Sequence, residues 1–332
     1  MKKDESRITR RKFLKSTGGA LAVTSLGAGS LMNLAHGSES EKSGEVKMIP
    51  KRVLGKTGEK LSIIGFGGII VSGEEQSDAN SFVSEAIDRG INYFDVAPSY
   101  GDAEEHLGPA LEPYRKDVFL ACKTQNRDKE GAMAELKESL KKLRTDHFDL
   151  YQLHAMTKME DVKKVMGPGG AMETFLEARE QGLVRYLGFS AHSTEAAVAL
   201  MDEFDFDTIL FPFNWVCYLN GNFGPQVIKK AKEKGMGILA LKAMARTSIK
   251  EGDEKKFNKC WYHPVTDPEE TNLALRFTLS EPTTAAGPPG DIRLFRKALD
   301  IAAEFEPLTD AEREVLKNRA EGLDPIFRSN IS

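Results

Sequence analysis

The chain has 332 residues, 40% of them apolar and 29% charged, which is enough to bury a large core in one domain or two. Its net charge is −4, and because residues 1–37 hold seven Lys/Arg against two acids, the remainder is distinctly acidic and excludes nucleic acid as a partner. Cys122, Cys217 and Cys260 are widely spaced, form no CxxC or metal-like pattern and are odd in number, so they read as core thiols rather than a disulfide framework.

Residues 1–37 read as an export signal. Thr9-Arg10-Arg11-Lys12-Phe13-Leu14-Lys15 is a twin-arginine motif, a mildly apolar Gly/Ala-rich run extends from Gly18 to Leu34, and Ala35 and Gly37 place a cleavage point before Ser38. The run is too short and too diluted by glycine and serine to span a bilayer, so no stable membrane span is expected after cleavage. The expectation is passage through the twin-arginine export machinery in the folded state, to the periplasm or the cell exterior. Residues 38–50 are a polar linker, and 51–332 are the folded domain.

From Lys51 the pattern is regular. Arg52 to Ser62 carries Gly-Lys-Thr-Gly between short apolar runs, a hairpin signal, and Ile63 to Val71 supplies a first buried strand. Further strands are predicted near Asn92 and over Val118–Lys123, Phe148–His154, Val184–Ser190, Thr208–Phe213, Gly237–Leu241 and Thr283–Ala286. Helical stretches separate them, among them Asp78–Arg89, Lys129–Leu143, Gly170–Gln181, Thr194–Glu203, Gly224–Lys234, Pro268–Ser280 and Asp291–Phe305, and a last helix covers Leu308–Ala320. The strands are apolar along their length rather than alternating, as strands buried on both faces are. Eight βα units in a domain above ~250 residues predict a closed (β/α)8 TIM barrel of the α/β class, with an open doubly wound sheet as the other arrangement.

In such a barrel the active site lies at the C-terminal ends of the strands. The second strand ends on Asp95, the third on Lys123, the fourth on His154 and the fifth on Ser190, and the loop after Asp95 carries Tyr100. A phenol, with a pKa near ~10, needs help to exchange protons at neutral pH. A lysine ammonium beside it stabilises the phenolate, a carboxylate keeps the buried ammonium charged, and a histidine N–H orients a carbonyl oxygen. The set fits hydride addition to C=O, with Tyr100 as general acid, Asp95 and Lys123 tuning it and His154 polarising the substrate.

These residues and their neighbours resemble the aldo-keto reductases: R-x-LG-x-TG at Arg52, FDVAPSYG followed by AEEHLG at Phe94, CKT at Cys122, DLYQLH at Asp149 and GFS at Gly188. The resemblance implies an NAD(P)H-dependent carbonyl reductase without a metal, acting on a small-molecule carbonyl or alcohol, with Asp95, Tyr100, Lys123 and His154 as its catalytic tetrad. It also implies that Ser190 serves the nicotinamide carboxamide. The asparagine usual next is Ala191, the glutamine expected on strand six is Leu210, and the stacking aromatic is Leu241, followed by Lys242-Ala243-Met244 in place of Ser-Pro-Leu. Beyond Gly287 the residue usual for an adenosine phosphate is Pro288-Pro289, which leaves Arg293, Arg296 and Lys297 for a 2′-phosphate and both NADP(H) and NAD(H) open as cofactor. The helix starting near Asp291 offers an N-terminus for phosphate.

Ala245 to Asp267 is long for a βα loop and reads as a lid over the rim, with a charged start and an aromatic end at Phe257, Trp261 and Tyr262. Such a lid would keep the nucleotide bound after export. Two other readings stand beside the reductase: a metal-dependent barrel hydrolase using His154, His192 and Asp95, and a nicotinamide-nucleotide binder with little turnover.

Overall fold

The computed structural model describes residues 47–329; the predicted signal and most of the linker lie outside them. An antiparallel hairpin opens the described chain, β1 (Lys51–Val53) against β2 (Lys60–Ser62), with Gly58 at φ 82° in the turn where a side chain would be strained. Eight strands follow in one sheet: β3 (Phe66–Gly67), β4 (Tyr93–Asp95), β5 (Phe119–Thr124), β6 (Phe148–Met156), β7 (Val184–Ala191), β8 (Thr208–Pro212), β9 (Gly237–Leu241) and β12 (Ala285–Gly287). Between β9 and β12 a second hairpin pairs β10 (Ala245–Ser248) with β11 (Tyr262–Pro264).

All neighbours in the eight-stranded sheet are parallel, and each pairs with the next in sequence. The ring closes where Ala286 bridges Ile64: Ala286 N donates to Ile63 O at 2.9 Å and Gly65 N donates to Ala286 O at 3.0 Å. The expected (β/α)8 barrel is therefore the fold. One strand is shorter than predicted: of Ile63–Val71 only Phe66–Gly67 is strand, and Gly68–Val71 winds into a 3-10 helix. Apolarity alone does not distinguish the two, and Gly68 sits so close to Val96 that a Cβ there would lie 2.6 Å from its side chain.

Two layers of apolar side chains make the core. Inside the ring Tyr93, Phe119, Leu150, Leu210, Leu239 and Ala285 pack together, and Leu54 and Leu61 of the first hairpin plug the bottom. Gly237 must lack a side chain there, since a Cβ would stand 2.4 Å from Leu54. Outside the ring, helices such as Gln76–Asp88, Lys129–Lys142, Thr194–Glu203 and Ile292–Ala303 cover the sheet with their apolar stripes. The helix Asp310–Ala320 has the capping box its Thr309 start suggests, completed by Glu312. Three helices escaped the sequence reading: Ala103–Leu111, Met159–Met166 and Trp215–Gly221, the first interrupted by Pro109 and the other two short. No helix among the described residues is long and apolar enough to cross a membrane.

Candidate active site

Four strand ends bring their polar side chains to one rim. Lys123, fully buried, places its ammonium on Asp95 Oδ1 and donates to Val96 O at 3.1 Å. Burial alone would lower the ammonium's pKa, but Asp95 and the Tyr100 phenol more than offset it, so the lysine stays charged. Tyr100 is half-buried, its ring centroid 5.0 Å from Lys123 Nζ and edge-on to His154 at 5.9 Å. Burial raises its pKa, Lys123 pulls against that, and the net is upward, so the phenol is protonated at neutral pH.

His154 is pushed down to about 2, first by burial and then by the charge of Lys123, with His192, Arg127 and Lys242 adding to it. It is therefore a neutral imidazole, able to donate a hydrogen bond but not a proton from an imidazolium. Its Nδ1 lies 3.4 Å from Ser99 Oγ, and Arg127 fixes its backbone by donating to His154 O at 2.8 Å. Neither Ser99 nor Arg127 stood out in the sequence.

The sequence also gave no prominence to the groups that hold Asp95. Gln152 Nε2 donates to Asp95 Oδ2 at 3.0 Å and Tyr93 Oη donates to the same oxygen at 3.3 Å. The available signal was strand alternation: Tyr93 precedes Asp95 by two residues and Gln152 precedes His154 by two, so each pair faces the same way.

A cavity of about 230 Å³ opens beside these residues, lined by Asp95, Tyr100, Leu210, Leu241, Lys242 and Gly287 among others. Gly67 and Gly287 also line it, and a Cβ on either would meet nothing closer than 3.6 Å, so bare backbone leaves room for a flat ring. The residues fit the nicotinamide end of a dinucleotide. A larger cleft of about 510 Å³ behind the second hairpin, lined by Asp253, Lys256, His263 and Glu270, contains none of the rim residues.

The other predicted cofactor positions fare differently. Ser190 is buried, and its hydroxyl already accepts from Ala155 N at 2.7 Å. Ala243 and Met244 are packed into the main core, so their side chains do not reach the cavity. Arg293 is paired with Asp291 at 2.9 and 2.8 Å, and Arg296 with Glu85 at 2.9 and 2.7 Å, while Lys297 is exposed on the same helix. Asp291 also caps that helix by accepting from Arg293 N, which puts a carboxylate where the expected phosphate would come. Both pairs are screened by solvent, but a phosphate arriving at this helix start would have to face or displace the Asp291 carboxylate.

The metal alternative is not assembled: among the described residues no group of three His, Cys, Asp or Glu side chains converges as a metal site requires. Asp95 is taken up by Lys123, Gln152 and Tyr93, and His192 stacks on Phe327 at 5.2 Å.

Comparison with known proteins decides the family. The profile of the Aldo/keto reductase family matches residues 63–307. The chain belongs to the aldo/keto reductase family. It is 27% identical over 313 residues to "Uncharacterized oxidoreductase YqkF" of Bacillus subtilis (strain 168), covering 85% of this chain and 99% of that one. It is 26% identical to "L-galactose dehydrogenase" of Arabidopsis thaliana over 61% of this chain and 68% of that one. Among solved structures, the holo form of aldo-keto reductase AKR11C1 from Bacillus halodurans superposes with a TM-score of 0.66 over 84% of this chain and 98% of that one, at 24% identity. This aldo/keto reductase is thus an NAD(P)H-dependent oxidoreductase acting in carbonyl reduction.

Proposed function

We propose that the chain reduces an aldehyde or ketone, or oxidises the corresponding alcohol, with Tyr100 as the proton donor, Lys123 and Asp95 setting its acidity and His154 orienting the carbonyl. The observation that carries this reading is the buried Lys123 ammonium, tied to Asp95 and facing Tyr100. When bound, the nicotinamide supplies or takes the hydride. Tyr100 gives its proton to the carbonyl oxygen as negative charge develops there, and Lys123 lowers the cost of the phenolate left behind. His154, neutral, donates to the same oxygen from Nε2 when Nδ1 accepts from Ser99. Between the two, Tyr100 is the acid, because the imidazolium is not populated.

The reading extends to export. The twin-arginine motif supports passage of the folded chain to the periplasm or cell exterior, where free nicotinamide nucleotide is expected to be scarce; an exported reductase then carries its cofactor bound, receives electrons by another route or is inactive there, and the reading adopted is that the cofactor travels bound. The second hairpin suits a strap: Lys259 Nζ donates to Ile70 O and reaches Glu74 Oε1, both at 2.7 Å, tying the segment to the residues after β3. Tyr100→Phe tests the catalytic assignment. Turnover of every carbonyl in a broad panel should fall by about 10²-fold or more with cofactor affinity retained, and an unchanged kcat would overturn it. If the wild-type protein binds NADPH or NADH yet oxidises neither with any carbonyl, the nucleotide-binder reading takes its place. Protein recovered from the exported fraction should release nucleotide on denaturation; empty protein would refute the retention.

A further inference from the structure

The rim has a second lysine that no part of the proton-transfer set uses. Lys242 follows β9 with φ 59°, in the left-handed region that glycine or asparagine occupies at lower cost. Backbone strain of this kind persists where the surroundings over-determine it, often at a binding site. The side chain lies across two aromatic rings, its ammonium 5.3 Å from the centroid of Trp261 and 5.8 Å from that of Tyr262. It lines the same cavity as Asp95 and Tyr100.

The charge balance of that cavity is uneven. Lys123 is neutralised by Asp95, Lys259 by Glu74, and His154 is uncharged. Lys242 has no ion pair among those of the described residues. Its field falls on His154 and His192, on the side where the carbonyl would be polarised. Lys242 is half-buried, and a cation packed against apolar rings without a counter-charge has given up part of its water without gaining a carboxylate; burial depresses it to about 8, with Lys123 adding to the effect against Cys260 and Cys217. An anion arriving beside it recovers that loss, whereas an uncharged ligand of the same shape does not. The half-exposed Trp261, with Phe327 edge-on to it at 5.7 Å, provides an apolar wall for the body of such a ligand.

We propose that Lys242 is the substrate-recognition residue of this site and that the carbonyl compounds it selects carry a carboxylate, held by the ammonium while their apolar body lies against Trp261. The assignment rests on the proposed carbonyl reduction, which it deepens, and it moves Lys242 from the cofactor to the substrate.

The test separates it from that reading by measuring binding as well as turnover. The full chain loaded with NADPH is titrated calorimetrically with benzoate and with methyl benzoate, which differ in the charge and not in the ring. Benzoate should bind at least tenfold tighter, Lys242→Met should abolish the difference and Lys242→Arg should retain it. Equal binding of the two by the wild-type protein, or a preference that survives Lys242→Met, overturns the proposal. So does a Lys242→Met protein that keeps the benzoate preference while its NADPH affinity falls tenfold, since the lysine then serves a cofactor phosphate. In turnover, the ratio of kcat/KM for 4-carboxybenzaldehyde over its methyl ester should fall at least tenfold in Lys242→Met, mostly through KM. If neither aldehyde is reduced, the proposed reaction fails, and the benzoate titration still decides the role of Lys242.

Discussion

Gln152 donates its amide to the Asp95 oxygen that Lys123 leaves free, at 3.0 Å, so the carboxylate is gripped from both sides. A carboxylate held this way cannot rotate, and the ammonium it anchors stays facing Tyr100. Gln152→Leu removes a charge-assisted bond of about 1.5–3 kcal/mol, partly offset because Gln152 Oε1, buried without a partner, goes with it. The expected outcome is a loss below about 2 kcal/mol in urea unfolding and about a tenfold drop in kcat, the equivalent of ~1.4 kcal/mol at the transition state. A change in stability alone would show that the amide only packs.

Gly65→Ala should disturb the same carboxylate from its other partner. A Cβ at Gly65 would fall 2.5 Å from the Tyr93 ring, and Tyr93 is the residue whose hydroxyl reaches Asp95. Overpacking of this order costs about 1–3 kcal/mol, and the ring must move to relieve it. Thermal unfolding should show the loss, and in the double variant with Tyr93→Ala the total loss should fall short of the sum of the two single losses, because the clash is gone.

Ser190→Ala leaves the Ala155 N–H, at a backbone φ of 52°, without its acceptor. An unpaired donor costs about 1–3 kcal/mol when fully buried, and less at the half-buried Ala155. The expected sign is destabilisation with faster amide exchange at Ala155, measured by hydrogen exchange.

Acid should weaken the fold through two histidines. His154 is depressed to about 2 and His192 to about 4, in both cases chiefly by burial, below the ordinary 6.5. Between pH 6.5 and 4 the unfolded chain binds protons at these positions and the native chain does not, so stability falls as pH falls, by up to about 1.4 kcal/mol per unit for each histidine. Above pH 6.5 neither contributes to the slope. His192→Phe should flatten the dependence of the urea midpoint between pH 6.5 and 4, and an unchanged slope would show that His192 takes up its proton in the native state.

Asp95, Lys123, His154 and Ser190 could be located in the sequence because each lies at or within two residues of the end of a strand, and the strands announced themselves as apolar runs bounded by polar turns. Asp95 and Lys123 required only that chemistry and spacing agree. Gln152 and Tyr93 stayed hidden because they lie inside those runs, where their polar atoms read as interruptions, and only the closed ring brings Oδ2 of Asp95 within their reach. The basic residues on the helix Ile292–Ala303 were read as free for phosphate; Asp291 and Glu85 engage Arg293 and Arg296, and Glu85 is 211 positions away from Arg296. The first strand was over-extended because Gly68–Val71 is as apolar as a strand and yet turns. Lys242 was noticed as a departure, but its lack of a counter-charge is a fact of three dimensions.

The seam of the ring joins Ile63 and Gly65 to Ala286. A chain made from its N-terminus has seven of the eight strands in hand long before the partner for the first exists, and until then two raw sheet edges face the crowded cytosol. The last βα unit is therefore a clasp. Ribosome-bound intermediates should recruit chaperones until Gly287 emerges, and any machinery that accepts only finished molecules has a simple criterion to enforce, since an unclasped ring has no complete rim to hold a nucleotide.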